Sequence, residues 1–295
     1  MDGVAKSKVS CLCDVRTILG EGPLWSPHDA RLWFVDIKSR RLYRCDLAGG
    51  GLAHWDAPQQ IGWILPSDDG GYLTGLSDGI YQFDPYGGFT RLVAVEEGNA
   101  DTRLNDAVVD TAGRVWFGTM DDAEAREIGR FWSFSQGIVQ ESGLDPVCIS
   151  NGPAVSPDGK QFYFVDTLNG FINVADVDLQ GRLLNPRCLI QIDAQDGRPD
   201  GPTVDVEGCI WIALFGGGAV RRYSPKGELL ETVIIPVSNI TKVAFGGPDM
   251  RTVFVTTARL YLNEQQLLLQ PQAGSVFTFR SDVPGLPMPC AKLAV

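Results

Sequence analysis

Four short polar motifs carry most of the chemistry that this chain can offer. They are Leu19-Gly20-Glu21-Gly22-Pro23, Arg103-Leu104-Asn105-Asp106, Ser150-Asn151-Gly152 and Arg198-Pro199-Asp200-Gly201. Glu21 and Asp200 are carboxylates and Asn105 and Asn151 are carboxamides, all hard oxygen donors of the kind that hold a divalent cation. Only two His, His28 and His54, are present to serve a softer site, and both lie in polar or Gly-rich turns. Seven Cys at positions 11, 13, 45, 148, 188, 209 and 290 form no Cys-x-x-Cys pair and read as reduced thiols. Cys11 and Cys13 sit on alternate positions of a strand-like run and could face one side of a sheet, but they lack a second pair to complete a zinc site.

Taken singly, each motif also has a plain reading as a turn, because Asn-Gly and Asp-Gly are turn dipeptides and Pro next to Gly is punctuation. Glu21 is different. Glu has no turn preference, and here it lies between two Gly that let the backbone approach closely.

The elements that must bring these motifs together recur along the chain. A turn with Asp and Gly, or a close substitute, precedes a short aromatic and β-branched strand six times, with anchors at Trp33, Tyr72, Trp116, Phe162, Trp211 and Phe254. The anchors are 39 to 49 residues apart, the period of a four-stranded blade rather than of a helical repeat. A second strand follows each one, as in Arg41-Leu42-Tyr43 and Gly79-Ile80-Tyr81, and only Tyr261 to Gln270 has helical character. The pattern predicts an all-β fold, a six-bladed β-propeller of four-stranded antiparallel sheets, as one domain over residues 1–295. The run Val9 to Val15 is placed to add an outer strand to the last blade. Loops entering the innermost strands would then converge on a central channel, with Glu21, Asn105, Asn151 and Asp200 in four different repeats.

Composition limits the partners. Of the 295 residues, 44% are hydrophobic and 21% charged, enough apolar material for a large core. A formal charge of −11 with no Lys/Arg cluster argues against nucleic acid or an anionic membrane, and no protein partner is evident. The polar start and the absence of a long apolar window make the cytoplasm the expected compartment. No phosphate-cradling Gly loop or Cys/His nucleophile pair is found.

The chain resembles the senescence marker protein 30, gluconolactonase and regucalcin family of sugar lactone hydrolases, and its neighbourhoods look more like the bacterial aldonolactonases. The resemblance covers nearly the whole chain. It rests on Gly20-Glu21-Gly22-Pro23-Leu24-Trp25, Phe34-Val35-Asp36-Ile37, Arg103-Leu104-Asn105-Asp106, Gly118-Thr119-Met120, Ile149-Ser150-Asn151-Gly152, Pro199-Asp200-Gly201, Phe245-Gly246-Gly247 and Thr257-Ala258-Arg259. It implies a propeller with one divalent cation held by Glu21, Asn151 and Asp200, and a sugar contacted by Arg103 and Asn105. The oxygen ligands leave the cation open among Ca, Zn, Mn, Mg and Fe(II). One position departs: where animal members place a substrate-contacting Glu after Gly-Thr-Met, this chain has Ala123, with Asp121 or Asp122 as candidate stand-ins.

Lactone chemistry suits these residues. A divalent cation with free positions can polarise a carbonyl, and a carboxylate beside it can take the proton of attacking water. Asp200 is the expected base, ahead of Asp106 and Asp166, which serve equally well as structural acids at strand ends. Arg103 would orient ring hydroxyls or meet the developing oxyanion, and Lys242 is a further candidate for the channel. The expectation is a hydrolase of carboxylic esters, opening aldono-1,4- or 1,5-lactones of the gluconolactone, xylonolactone or arabinonolactone type. The alternative is a non-catalytic calcium-binding regulatory or scaffolding propeller.

Overall fold

Alternating apolar and polar residues between Asp- and Gly-rich turns fold this chain into short antiparallel strands. The computed structural model describes residues 8–293. Among these, four sheets have four strands each and one has eight. The first sheet holds Gly20–Ser26, Arg31–Asp36, Arg41–Cys45 and Ala53–Asp56. The second holds Ile61–Pro66, Tyr72–Leu76, Gly79–Asp84 and Gly88–Ala94. Thr102–Val109, Val115–Asp121, Phe131–Ser135 and Ile138–Glu141 form the third. The fourth contains Ser150–Val155, Gln161–Asp166, Phe171–Val177 and Leu183–Gln191.

The eight-stranded sheet is two antiparallel quartets joined by one parallel pairing, Gly201 with Lys242. One quartet is Arg198–Val204, Ile210–Phe215, Ala219–Tyr223 and Leu229–Ile234. The other is Ile240–Gly246, Thr252–Thr257, Val276–Arg280 and Ser10–Cys13. The N-terminal strand pairs antiparallel with the late strand, Ser10 opposite Thr278, as the run from Val9 to Val15 predicts. The leading strands of successive quartets pack side by side in chain order, and Ile240–Gly246 returns to Gly20–Ser26.

Every anchor aromatic of the sequence repeat lands in the second strand of a quartet. The preceding Asp explains part of the repetition. Asp110 accepts from the Ala112 and Arg114 amides, at 2.9 and 3.0 Å, and from the Trp116 indole at 2.9 Å. Asp205 likewise takes the Glu207 and Cys209 amides and the Trp211 indole, and Asp29 takes the Trp33 indole. One carboxylate thus fixes both the turn and the ring that follows it.

Those rings fill the seams between sheets. Trp33 meets Tyr72 at 4.8 Å, Trp63 meets Phe117 at 6.3 Å, Trp116 meets Phe162 at 4.9 Å and Trp211 meets Phe245 at 5.6 Å. Offset or edge-on pairs of this kind add about 0.5–1.5 kcal/mol each beyond their buried area. Between the fourth sheet and the next quartet the packing is chiefly aliphatic, with Val165, Ile172, Ile212 and Leu214 buried.

Helix is confined to a short 3-10 turn and to Glu264–Leu269, which is narrower than the Tyr261 to Gln270 run. Asn263 and Gln266 close a capping box at its start, and Tyr261 lies outside it at φ 64°. A register shift between Cys11 and Cys13 breaks the alternation expected there: Cys13 is buried and Cys11 half-buried. All seven cysteines are unpaired. No helix among the described residues is long and apolar enough to cross a membrane. After the last strand the chain runs back across the leading strands, with Ala291 bonded to Pro66 and Lys292 to Gly113.

Candidate functional site

Each motif lies on a leading strand, and each strand gains a residue there. Glu21 pairs with Val35 and Leu24 with Trp33, so three steps on one strand face two on the other. The same bulge falls between Leu104 and Ala107, between Asn151 and Ala154, and between Pro199 and Pro202. A bulge turns side chains that would otherwise alternate across a sheet, and here it aims them inward. Gly22 and Gly152 supply the positive φ, 52° and 74°, that two of these bends require.

Glu21, Arg103, Asn105, Asn151 and Asp200 all line one cleft. Four separate sheets contribute them, and all are buried. A continuous chain of hydrogen bonds fixes three of the five. Arg103 Nε donates to Asp122 at 3.0 Å, and its Nη1 donates to Asn105 Oδ1 at 2.6 Å. Asn105 Nδ2 donates in turn to Asn151 Oδ1 at 3.0 Å, and Asn151 Nδ2 to Thr167 at 2.9 Å.

The carboxylates are held differently. Glu21 Oε2 accepts the Gly22 amide at 2.9 Å. Asp200 accepts no hydrogen bond from the described residues. Burial, followed by the charge of Asp106, pushes Glu21 up to about 8. Burial and then Glu21 and Asp106 raise Asp200 well above the ordinary carboxylate range, with Lys242 opposing. Asp106 is raised by burial against the pull of its ion-pair partner Lys242. Burial lowers the Arg103 guanidinium, partly countered by Asp122.

This charge arrangement tests whether a cation fits. Glu21, Asp106 and Asp200 crowd together in a buried site where Lys242 is paired with Asp106 and Arg103 with Asp122, so Glu21 and Asp200 have no ion pair of their own. The donor set fits a divalent ion: Glu21 and Asp200 contribute oxygens not committed to any cationic side chain, and Asn151 Oδ1 keeps a second lone pair. No three His, Cys, Asp or Glu gather into a metal cluster among the described residues, so carboxamide oxygen is part of the set that fits.

Other candidates have settled places. Asp106 accepts the Ala107 and Gly152 amides at 2.7 and 2.8 Å besides Lys242, which ties three leading strands together. Asp166 is engaged by Asn169, as a strand-end acid. His28 and His54 are exposed and outside the cleft. Neither expected stand-in lines the cleft. Asp122 is taken by Lys38, Gln60 and Arg103, while Asp121 lies under Arg126. Glu124 lines it instead, from a turn in which its φ is 55°. The sequence signal was the acidic run itself; the turn that rotates Glu124 inward was not readable. Tyr261 forms a further part of the wall, against Phe215, and burial followed by Glu124 pushes its hydroxyl up to about 12.

The profile of the SMP-30/Gluconolactonase/LRE-like region matches residues 19–259. The chain belongs to this family. A family relative, the 6-deoxy-6-sulfogluconolactonase of Pseudomonas putida, is 34% identical over 283 residues, 95% of this chain and 97% of the relative. The L-arabinolactonase of Azospirillum brasilense is 34% identical over 284 residues, covering 95% and 94%. The crystal structure of a calcium-binding protein, regucalcin, from Agrobacterium tumefaciens superposes with a TM-score of 0.91 at 29% identity, over 97% of both chains. The family match spans all four motifs, so the order and spacing of these loops, rather than any one dipeptide, carried the resemblance.

Proposed function

We propose that this chain is a metal-dependent sugar lactonase that opens aldono-1,4- or 1,5-lactones to aldonic acids. One observation carries the reading: five residues from four sheets converge in a single cleft where buried Glu21 and Asp200 are raised by burial and by the charge of neighbouring acids and have no ion pair of their own. Lactonase-named relatives along nearly the whole length support it. The quartets with their cyclic contacts support a six-bladed propeller as a single domain. The unpaired thiols suit a reducing compartment such as the cytoplasm.

Glu21, Asn151 and Asp200 would hold the cation. When bound, it supplies a Lewis acid for the lactone carbonyl and lowers the cost of deprotonating water. Asp200, free of hydrogen bonds from the protein, takes the proton as the water oxygen adds to the carbonyl carbon. The ring C–O bond then breaks, and that proton passes to the departing hydroxyl. Arg103 is oriented by Asp122 and Asn105, and Asn105 by Ser150 and Asn151, so the Arg103 Nη2 donors and the second lone pair of Asn105 Oδ1 are positioned before the sugar arrives.

The likeness to the calcium-binding protein of Agrobacterium favours a second reading, a cation-binding regulator without turnover. Acid release in a pH-stat, from gluconolactone, xylonolactone and arabinonolactone, separates the two. Chelated protein should fall to the spontaneous rate and recover with metal, and Asp200→Ala should lose activity by about 10²–10⁴-fold. A folded, cation-binding protein that releases no acid from any lactone would decide for the regulator.

A further inference from the structure

Arg198 differs from the other cations of the cleft. It opens the Asp200 strand, is exposed, and lines the same cleft as Glu21 and Asp200. Two residues of extended chain place its Cα about 7 Å from that of Asp200, toward solvent. Arg103 is held by Asp122 and Asn105, and Lys38 by Asp122. Arg198 has no such partner: the nearby Asp196 is taken by Arg221 at 3.0 Å, and Asp193 accepts the Gln195 amide. No hydrogen bond, ion pair or ring contact among the described residues engages its guanidinium.

Several exposed arginines on this acidic protein find acids, as in Arg41 with Asp56, Arg130 with Glu141 and Arg182 with Asp178. An unpaired fork at the mouth of a cleft with a carboxylate floor is therefore aimed at something the protein does not supply. Guanidinium pairs in a planar, two-pronged way with sulfonate, phosphate or carboxylate oxygens. The floor repels an anion and receives the carbonyl end of the ligand. Glu124, engaged with Tyr261 in the same cleft, repels one too. With Arg103 committed to Asp122 and Asn105, the Arg198 wall is left for a negative group.

We infer that Arg198 receives an anionic substituent carried by the lactone at the end remote from its carbonyl. This deepens the lactonase reading and rests on it. The site then discriminates by charge at a distance of one sugar from the bond that breaks, and Arg198 sets specificity without taking part in hydrolysis.

The test compares kcat/KM for glucono-1,5-lactone with its 6-phospho and 6-deoxy-6-sulfo counterparts and with an aldaric acid monolactone. Wild type, Arg198→Gln and Arg198→Lys are each measured. Wild type should prefer at least one anionic lactone by about tenfold or more, the advantage of a charge-assisted pair. Arg198→Gln should remove most of that preference, mainly through KM, and Arg198→Lys should retain part of it. The arm with the largest preference identifies sulfonate, phosphate or carboxylate. Turnover of the neutral lactone without an anionic preference, or a preference that survives in Arg198→Gln, overturns the inference and leaves the lactonase reading standing. No turnover of any lactone by folded, metal-loaded protein overturns both.

Discussion

Glu21 is buried next to two other acids, and this ties its protonation to the cation. Its pKa moves from an ordinary 4.5 to about 8 in the folded chain, so folded protein without metal keeps a proton that the unfolded chain releases. Between those values stability falls as pH rises, and a cation that replaces the proton restores it. The Tm gained on adding Ca or Mn to chelated protein should therefore be larger at pH 8.5 than at pH 5.5, read by scanning fluorimetry. Binding near pH 6 should also release protons, which calorimetry in buffers of different ionisation enthalpy detects. An equal Tm gain at both pH values, with no proton release, would remove Glu21 from the cation site. Identity and order made Glu21, Asn151 and Asp200 legible from the sequence. The pairing of Asp106 with Lys242, across 136 residues, was not, because nothing local joins a strand-end acid to a lysine three quartets later.

Among the elements, the turn acids carry loads that differ by site, although the sequence repeat makes them look alike. Asp110 serves two amides and an indole, whereas Asp205 adds the Arg222 guanidinium at 2.8 Å and is fully buried. Asp205→Ala should cost about 2–4 kcal/mol, because it leaves buried amide and indole donors unmet and removes one of the two carboxylates on Arg222, which keeps Glu207. Asp110→Ala should cost about 1–3 kcal/mol. Urea denaturation of both variants checks the order, and a larger loss at Asp110 would contradict it. The strands and their anchors were readable because alternation and Asp-Gly turns are local signals. The bulges were not, since an extra residue is defined only against a partner strand. Those bulges place Glu21 and Asp200 on the channel, so the site's composition could be read while its geometry could not.

For the molecule as a whole, closure depends on Ser10–Cys13, which covers the edge of Val276–Arg280. Removing residues through 14 should expose that edge, lower Tm by roughly 5–10 °C and promote association seen by light scattering. An unchanged Tm and a monodisperse variant would show that closure rests on the contacts of the leading strands instead. The same pairing sets a timetable during translation. At ordinary elongation rates Ser10 emerges on the order of 15–50 s before Thr278, its partner, exists. Each of the first four sheets is encoded contiguously and can assemble as it leaves the ribosome, while Ser10–Cys13, made at the outset, waits for its partner strand made last. Nascent chains stalled before residue 276 thus keep an open edge beside the Glu21 strand, so completion of the ring reports that this stretch of the message has been read.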